Sequence, residues 1–210
     1  MSLSTLIDPA TLEELLHRAD LVIVDCRFDL QDPSRGESEY LASHIPGAVY
    51  AHLNRDLSGP ENGSNGRHPL PDPPTFAATV GRLGIAAGIQ VVAYDQAAGS
   101  YASRLWWMLR WMGHREVAVL DGGYAAWLAE GRPTRSGVET VIARSFTGHP
   151  HPELERADVP VAIASTSPAR WVVSAAARVG IGARVRTIVS ANDVVRTIAG
   201  ILAGISRVGK

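Results

Sequence analysis

The chain has 210 residues, a formal net charge of −1 and a hydrophobic fraction of 46%, enough to bury a core and too neutral to argue for a nucleic-acid or anionic-membrane partner. Its single cysteine, Cys26, excludes an intramolecular disulfide and a cysteine-based zinc cage, and it fits a reducing, cytoplasmic setting. No window approaches the ~20 apolar residues that span a bilayer, and the start, MSLSTLIDPATLEELLHRAD, lacks the basic region of a signal peptide.

Asp8-Pro9 reads as an N-cap followed by proline in the first turn of a helix, TLEELLHRA, with Leu12, Leu15 and Leu16 on one face. LVIVDCR (21–27) is a continuous apolar, β-branched run, the pattern of a strand buried on both faces. GESEYLASH predicts a short helix broken before Pro46, and HIPGAVYAHL returns to extended structure. A loop rich in Gly, Asn and Pro occupies 58–74, and PTFAATVGRLG predicts a helix stopping at Gly84. VVAYD is a second buried strand, YASRLWWMLRWMG a long helix ending at Gly113, EVAVLDGG a third strand with a turn, and YAAWLAEG a helix stopping at Gly131. Strands alternating with helices through short loops predict an α/β domain with an open, mostly parallel sheet and helices on both faces.

Charge and composition change near Gly131. Residues 1–131 carry nine Arg against sixteen acids, whereas residues 132–210 carry ten Arg and one Lys against five acids. The expected organisation is a domain over 1–135, a linker over 136–157 and a basic, apolar, poorly patterned tail over 158–210. Within the tail, Ser190 or Asn192 could cap a helix VVRTIAGILAGI, weakened by two internal glycines, and a basic membrane-surface helix is the alternative.

The stretch with chemical content is VVAYDQAAGSYASRLWWMLRWMGH (91–114). A small-residue loop, DQAAGS, sits where a parallel strand ends and a helix begins, the place where open α/β sheets bind ligands and where helix N–H groups favour an anion. It is no Walker loop, because GK[ST] is missing, and it is not GxGxxG. The expected contacts to a small anionic ligand are Gln96, Ala97, Ala98, Gly99 and Ser100. No metal or organic cofactor is implied, since His and carboxylates do not cluster at ligand spacing.

DCRFDL (25–30), EYLASHIPGAVY (39–50), the strand–loop–helix at 91–114 and VAVLDGGYAAWLAEGRP (117–133) resemble, in order and spacing, a rhodanese-like sulfurtransferase domain. The resemblance covers roughly residues 1–150. RLWWMLRWMGH and GRHPLPDPPTFAATVGRLGI make it similar to the N-terminal half of the two-domain thiosulfate/3-mercaptopyruvate sulfurtransferases. It implies transfer of sulfane sulfur from a small anionic donor to a thiophilic acceptor, through a cysteine at the first loop position. Here that position is Asp95, and a carboxylate forms no persulfide. The implied domain has the cradle without the nucleophile and is not catalytic alone; a non-catalytic binding or regulatory module is the alternative. The family's second half would repeat these motifs, and residues 158–210 carry none, which suggests a truncated or frame-shifted second domain.

Other residues have bland and functional readings. Cys26 reads as a small buried hydrophobe rather than a sulfur carrier. Asp25 and Arg27 read as a structural ion pair, with Glu39 or another neighbour, rather than anion ligands. Asp56 and His68 are possible assisting residues by the resemblance, with His68 a proton shuttle, against a plain surface-loop reading. His44 is expected to hydrogen-bond its turn, and His114 to face the dipole at a helix C-terminus. On the tryptophan helix, Trp107 and Trp111 share a face and Trp106 points elsewhere. A face left bare predicts an aromatic patch and self-association.

Overall fold

The computed structural model describes residues 3–96 and 99–151, together with the backbone of two strands further on. The chain divides into two compact units, residues 1–151 and residues 152–210. The first holds a sheet of β1 (Leu6–Ile7), β2 (Leu21–Asp25), β3 (Ala48–Tyr50), β4 (Gln90–Tyr94) and β5 (Val117–Leu120) in the order β1-β5-β4-β2-β3. All four pairings are parallel, with Val22 opposite Val91 and Val92 opposite Ala118. The helices are α1 (Pro9–Leu15), α2 (Arg35–Ala42), α3 (Leu53–Asp56), α4 (Pro73–Arg82), α5 (Ala102–Trp111) and α6 (Gly123–Ala129).

Side-chain alternation along the strands divides the core in two. Val22, Val24, Val91, Ala93, Val117 and Val119 face α4 and α5, joining Phe76, Val80, Leu105, Met108 and Leu109. Ile23, Val92, Tyr94, Ala118 and Leu120 face the other way, onto Leu12 of α1 and Tyr124 and Trp127 of α6. Continuous apolar runs are therefore what a sheet covered on both faces requires. The Asp8 carboxylate caps α1 by accepting from the Thr11 amide at 2.9 Å, as its Asp-Pro signature predicts, and Asp72 caps α4 the same way at 3.0 Å.

Two elements carried no sequence signal. β1 is two residues long and exists by pairing with Val119 and Leu120; α3 is one turn. The expected linker also divides differently. Residues 135–151 form a strap along the first unit: Arg135 exchanges two backbone hydrogen bonds with His44, Arg144 donates to Gly81, and His151 donates to Trp111. Val141 and Phe146 pack on the core. In the second unit, β6 (Val161–Ala164) and β7 (Val185–Val189) pair in parallel with a register shift near Val161. The expected helix at VVRTIAGILAGI lies outside the described residues. Among the described residues no helix is long and apolar enough to cross a membrane.

Candidate functional site

The loop after β4 runs into the N-terminus of α5. Asp95 is 1% exposed, and its carboxylate turns back onto its own loop. Oδ1 accepts from the Gly99 amide at 2.9 Å; Oδ2 accepts from the amides of Tyr101 at 2.8 Å and Ala102 at 3.2 Å. Gly99 adopts φ +73°, the left-handed backbone that turns its N–H inward. The feature predicted as a cradle for an external anion is present, and Asp95 supplies an anion of its own. The backbone beyond is tied to α6, since the carbonyls of Asp95 and Gln96 accept from the amides of Tyr124 and Ala125.

Of the expected ligand contacts, Gln96 and Gly99 are engaged within the chain. The Gln96 side-chain amide donates to the Phe28 carbonyl at 2.7 Å, and the Gly99 amide serves Asp95. Ser100 lies at the surface, with its carbonyl accepting from Ser103 Oγ at 3.3 Å. Ala97 and Ala98 lie outside the described residues.

On the neighbouring strand, Asp25 and Arg27 are both buried and form an ion pair at 2.6 Å. The partner is Asp25 itself, not Glu39, which pairs instead with Arg35. The guanidinium also donates to the Ser43 carbonyl at 2.7 Å and lies 4.2 Å from the centre of the Tyr124 ring. Tyr94 Oη donates to Asp25 Oδ2 at 2.7 Å. Burial pushes the Asp25 carboxyl upward against the pull of Arg27. Because every hydrogen bond to its two oxygens comes from a donor, the ionised form fits the site. Gly36 completes this corner: a Cβ there would collide with the Arg27 carbonyl.

Cys26 follows Asp25 and is fully enclosed. Burial, followed by the charges of Asp25, Asp95 and Asp56, pushes its thiol well above the ordinary value. A thiol held protonated and out of solvent is a poor nucleophile.

Asp56 and His68 go to different neighbours. Asp56 is buried, accepting from Arg82 at 2.6 Å and from the His52 amide at 2.8 Å, which makes it an anchor for α3 and α4 rather than a surface-loop residue. The His68 ring stands edge-on to Phe28 with centroids 6.4 Å apart, and both ring nitrogens are buried without a hydrogen-bond partner. Burial, then the charges of Arg104 and Arg67, lowers its pKa, so the ring is held neutral. No hydrogen bond joins the two residues among those described. Arg104, on the first turn of α5, was not singled out from sequence. It donates to the carbonyls of Leu57, His68 and Pro69 at 2.9, 3.0 and 3.2 Å, tying the loop that carries His68 to the helix that begins at the cradle. Only the folded chain reveals this, because the partners are backbone atoms far away in sequence.

One further expectation changes. His114 is not a charged partner of a helix end: its ring is buried against Phe146 and burial lowers its pKa. On the tryptophan helix, Trp106 and Trp107 are half-buried. Trp111 is buried and stacks on Trp107 at 6.0 Å, while Trp106 donates to the Ser4 carbonyl and lies under Arg110. His44 does bond its turn, through Nδ1 to the Tyr40 carbonyl at 2.7 Å. Among the described residues no group of His, Cys, Asp and Glu could hold a metal ion.

An open parallel sheet with helices on both faces is the fold the motifs implied, and the model of the rhodanese-like domain matches residues 8–130. The chain belongs to the rhodanese-like family. Over 156 residues it is 44% identical to the "Probable 3-mercaptopyruvate sulfurtransferase" of Pseudomonas aeruginosa, a match covering 73% of this chain and 55% of that protein. Among solved structures, the 3-mercaptopyruvate sulfurtransferase of Leishmania major is similar with 32% identity and a TM-score of 0.61, over 69% of this chain and 39% of that one. SseA from Escherichia coli, described as a 3-mercaptopyruvate sulfotransferase of rhodanese fold, is 25% identical with a TM-score of 0.70, over 90% of this chain and 74% of that one. The chain spans about half the length of the curated relatives it matches. In this rhodanese-like domain the loop's first position is an aspartate already bound by the loop's own amides.

Proposed function

We propose that this chain supplies the non-catalytic rhodanese-like half of a thiosulfate or 3-mercaptopyruvate sulfurtransferase. In such a reaction a cysteine thiolate takes the sulfane sulfur, releasing sulfite from thiosulfate or pyruvate from 3-mercaptopyruvate. The persulfide then passes the sulfur to an acceptor such as cyanide and the thiolate returns. The observation that carries the reading is the Asp95 carboxylate seated on the amides of Gly99, Tyr101 and Ala102. Those donors would stabilise a thiolate or persulfide, and here they stabilise a group that accepts no sulfur. Cys26, enclosed and held protonated, offers no substitute.

The test is thiocyanate formation from thiosulfate or 3-mercaptopyruvate with cyanide, for wild type, Cys26→Ser and Asp95→Cys. The expected result is no turnover in wild type or Cys26→Ser and measurable turnover in Asp95→Cys. Wild-type turnover that disappears in Cys26→Ser would overturn the reading. The closed cradle also favours a second reading, a binding or regulatory rhodanese module. That reading gains if Asp95→Cys stays inactive while loop substitutions such as Ser100→Arg weaken capture of a partner.

A further inference from the structure

The strap, residues 135–151, touches two buried histidines whose free ring nitrogens face it or lie beneath it. At its near end, His44 is 0% exposed; Nδ1 is bonded to Tyr40, while Nε2 has no hydrogen bond and lies 3.6 Å from Glu139 Oε1 of the strap. Glu139 is held in place there, accepting from the Gly47 amide at 3.2 Å and from Arg135 at 3.3 Å. At its far end, His114 is 5% exposed, and its Nε2 is buried with no partner. Phe146 lies 6.0 Å from the His114 ring, centre to centre. Gly148 is close enough that a Cβ would collide with the Met112 carbonyl, and His151 donates to Trp111 at 2.7 Å. Beside this contact is a cleft of about 300 Å³, lined by Gly88, Gly113, Glu116 and Thr147 among others.

The consequences of adding a proton differ between the ends. At the near end His44 Nε2 faces the Glu139 carboxylate. A proton on His114 Nε2 has no acceptor in the closed form. A buried, unpaired cation is costly, and lifting the strap lowers that cost by admitting water to the ring. Glu116 is the acid whose charge acts on His114, opposing the effect of burial. His149 and His151 of the strap pass close to Gly113 and are exposed.

We propose that the far part of this segment, Arg144 to His151, is a pH-responsive strap: protonation of His114 releases it, while the part from Arg135 to Ile142 stays in place. The direction follows from linkage. The folded state disfavours the proton on His114, so the closed contact is fully stable above the ordinary histidine value of about 6.5 and weakens as pH falls below it.

Hydrogen exchange of the full chain tests this, with peptides from the two parts followed at pH 7.5 and pH 5.5 and corrected for intrinsic rates. In wild type, exchange over 144–151 rises several-fold at the lower pH, while exchange over 135–142 holds. The rise persists in His149→Gln/His151→Gln and disappears in His114→Gln. A rise shared equally by both parts, one that survives His114→Gln, or one lost in the double variant would overturn the proposal. Should His114→Gln fail to fold, the wild-type imidazole titration by NMR decides. Amide shifts over 144–151 must follow the His114 midpoint, and a mismatch sinks the idea.

Discussion

Asp25 and Asp95 sit at or just beyond the ends of adjacent parallel strands, both fully enclosed, and the protein satisfies them in opposite ways. Asp25 is held by a side-chain cation two residues away, with Tyr94 added from the next strand. Asp95 is held by backbone amides of the loop it begins. A buried ion pair depends on a second residue and fails if that residue is lost. An amide cradle depends on loop conformation and can accept any anion of suitable size. The first site is set by side-chain pairing, and the second by backbone conformation.

The sharpest way to break this comparison is Arg27→Met. It leaves Asp25 buried without its counter-ion and is expected to cost about 3–5 kcal/mol in a denaturant melt. The double change Asp25→Leu/Arg27→Met should recover most of that loss; a double variant as unstable as the single one would show that shape, not charge, holds the corner. Asp95→Asn is the counterpart in the loop. It turns an N–H₂ toward N–H donors and forfeits charge-assisted bonds, a cost of about 1–3 kcal/mol. Equal losses for Arg27→Met and Asp95→Asn would remove the distinction.

Cys26 sharpens it further. With its thiol pushed up by burial and three nearby acids, it should stay unmodified by a disulfide reagent at pH 8 until the protein unfolds. The cysteine of Asp95→Cys, seated among the amides, should react readily under the same conditions. A wild-type thiol that reacts fast in the native state would contradict the enclosed site. The smallest expected effect is at the caps: Asp8→Ala should lower the melting temperature only slightly. The Thr11 amide holds the Asp8 carboxyl below its usual value, so that contribution is present above about pH 4 and is lost as pH falls through the lowered value.

Much of this was legible beforehand because it is local. LVIVD, VVAY and VAVL announce buried parallel strands by composition, and Asp8-Pro9 announces a helix start by the geometry of its own side chain. The motifs around His44 and Gly122 carried the family. What the residues could not announce was partnership across distance. Arg27 had several acids to choose from, and the parallel sheet chose Asp25 and brought Tyr94 to it. Asp56 read as a loop residue until α4 delivered Arg82. Nothing in Leu6–Ile7 distinguishes a strand until β5 lies beside it.

The amino-acid sequence by itself determined the α/β class, the order of the main elements, the family and the place of Asp95 at the start of the loop. These depend on side-chain periodicity and on spacing along the chain. Only the tertiary structure decided that α6 ties down the Asp95 loop, that Cys26 is sealed, and that residues 135–151 lie along the domain over two buried histidines. Each of these is a contact between residues separated in the chain or a matter of how much water remains, and both are set when the two faces of the sheet are packed.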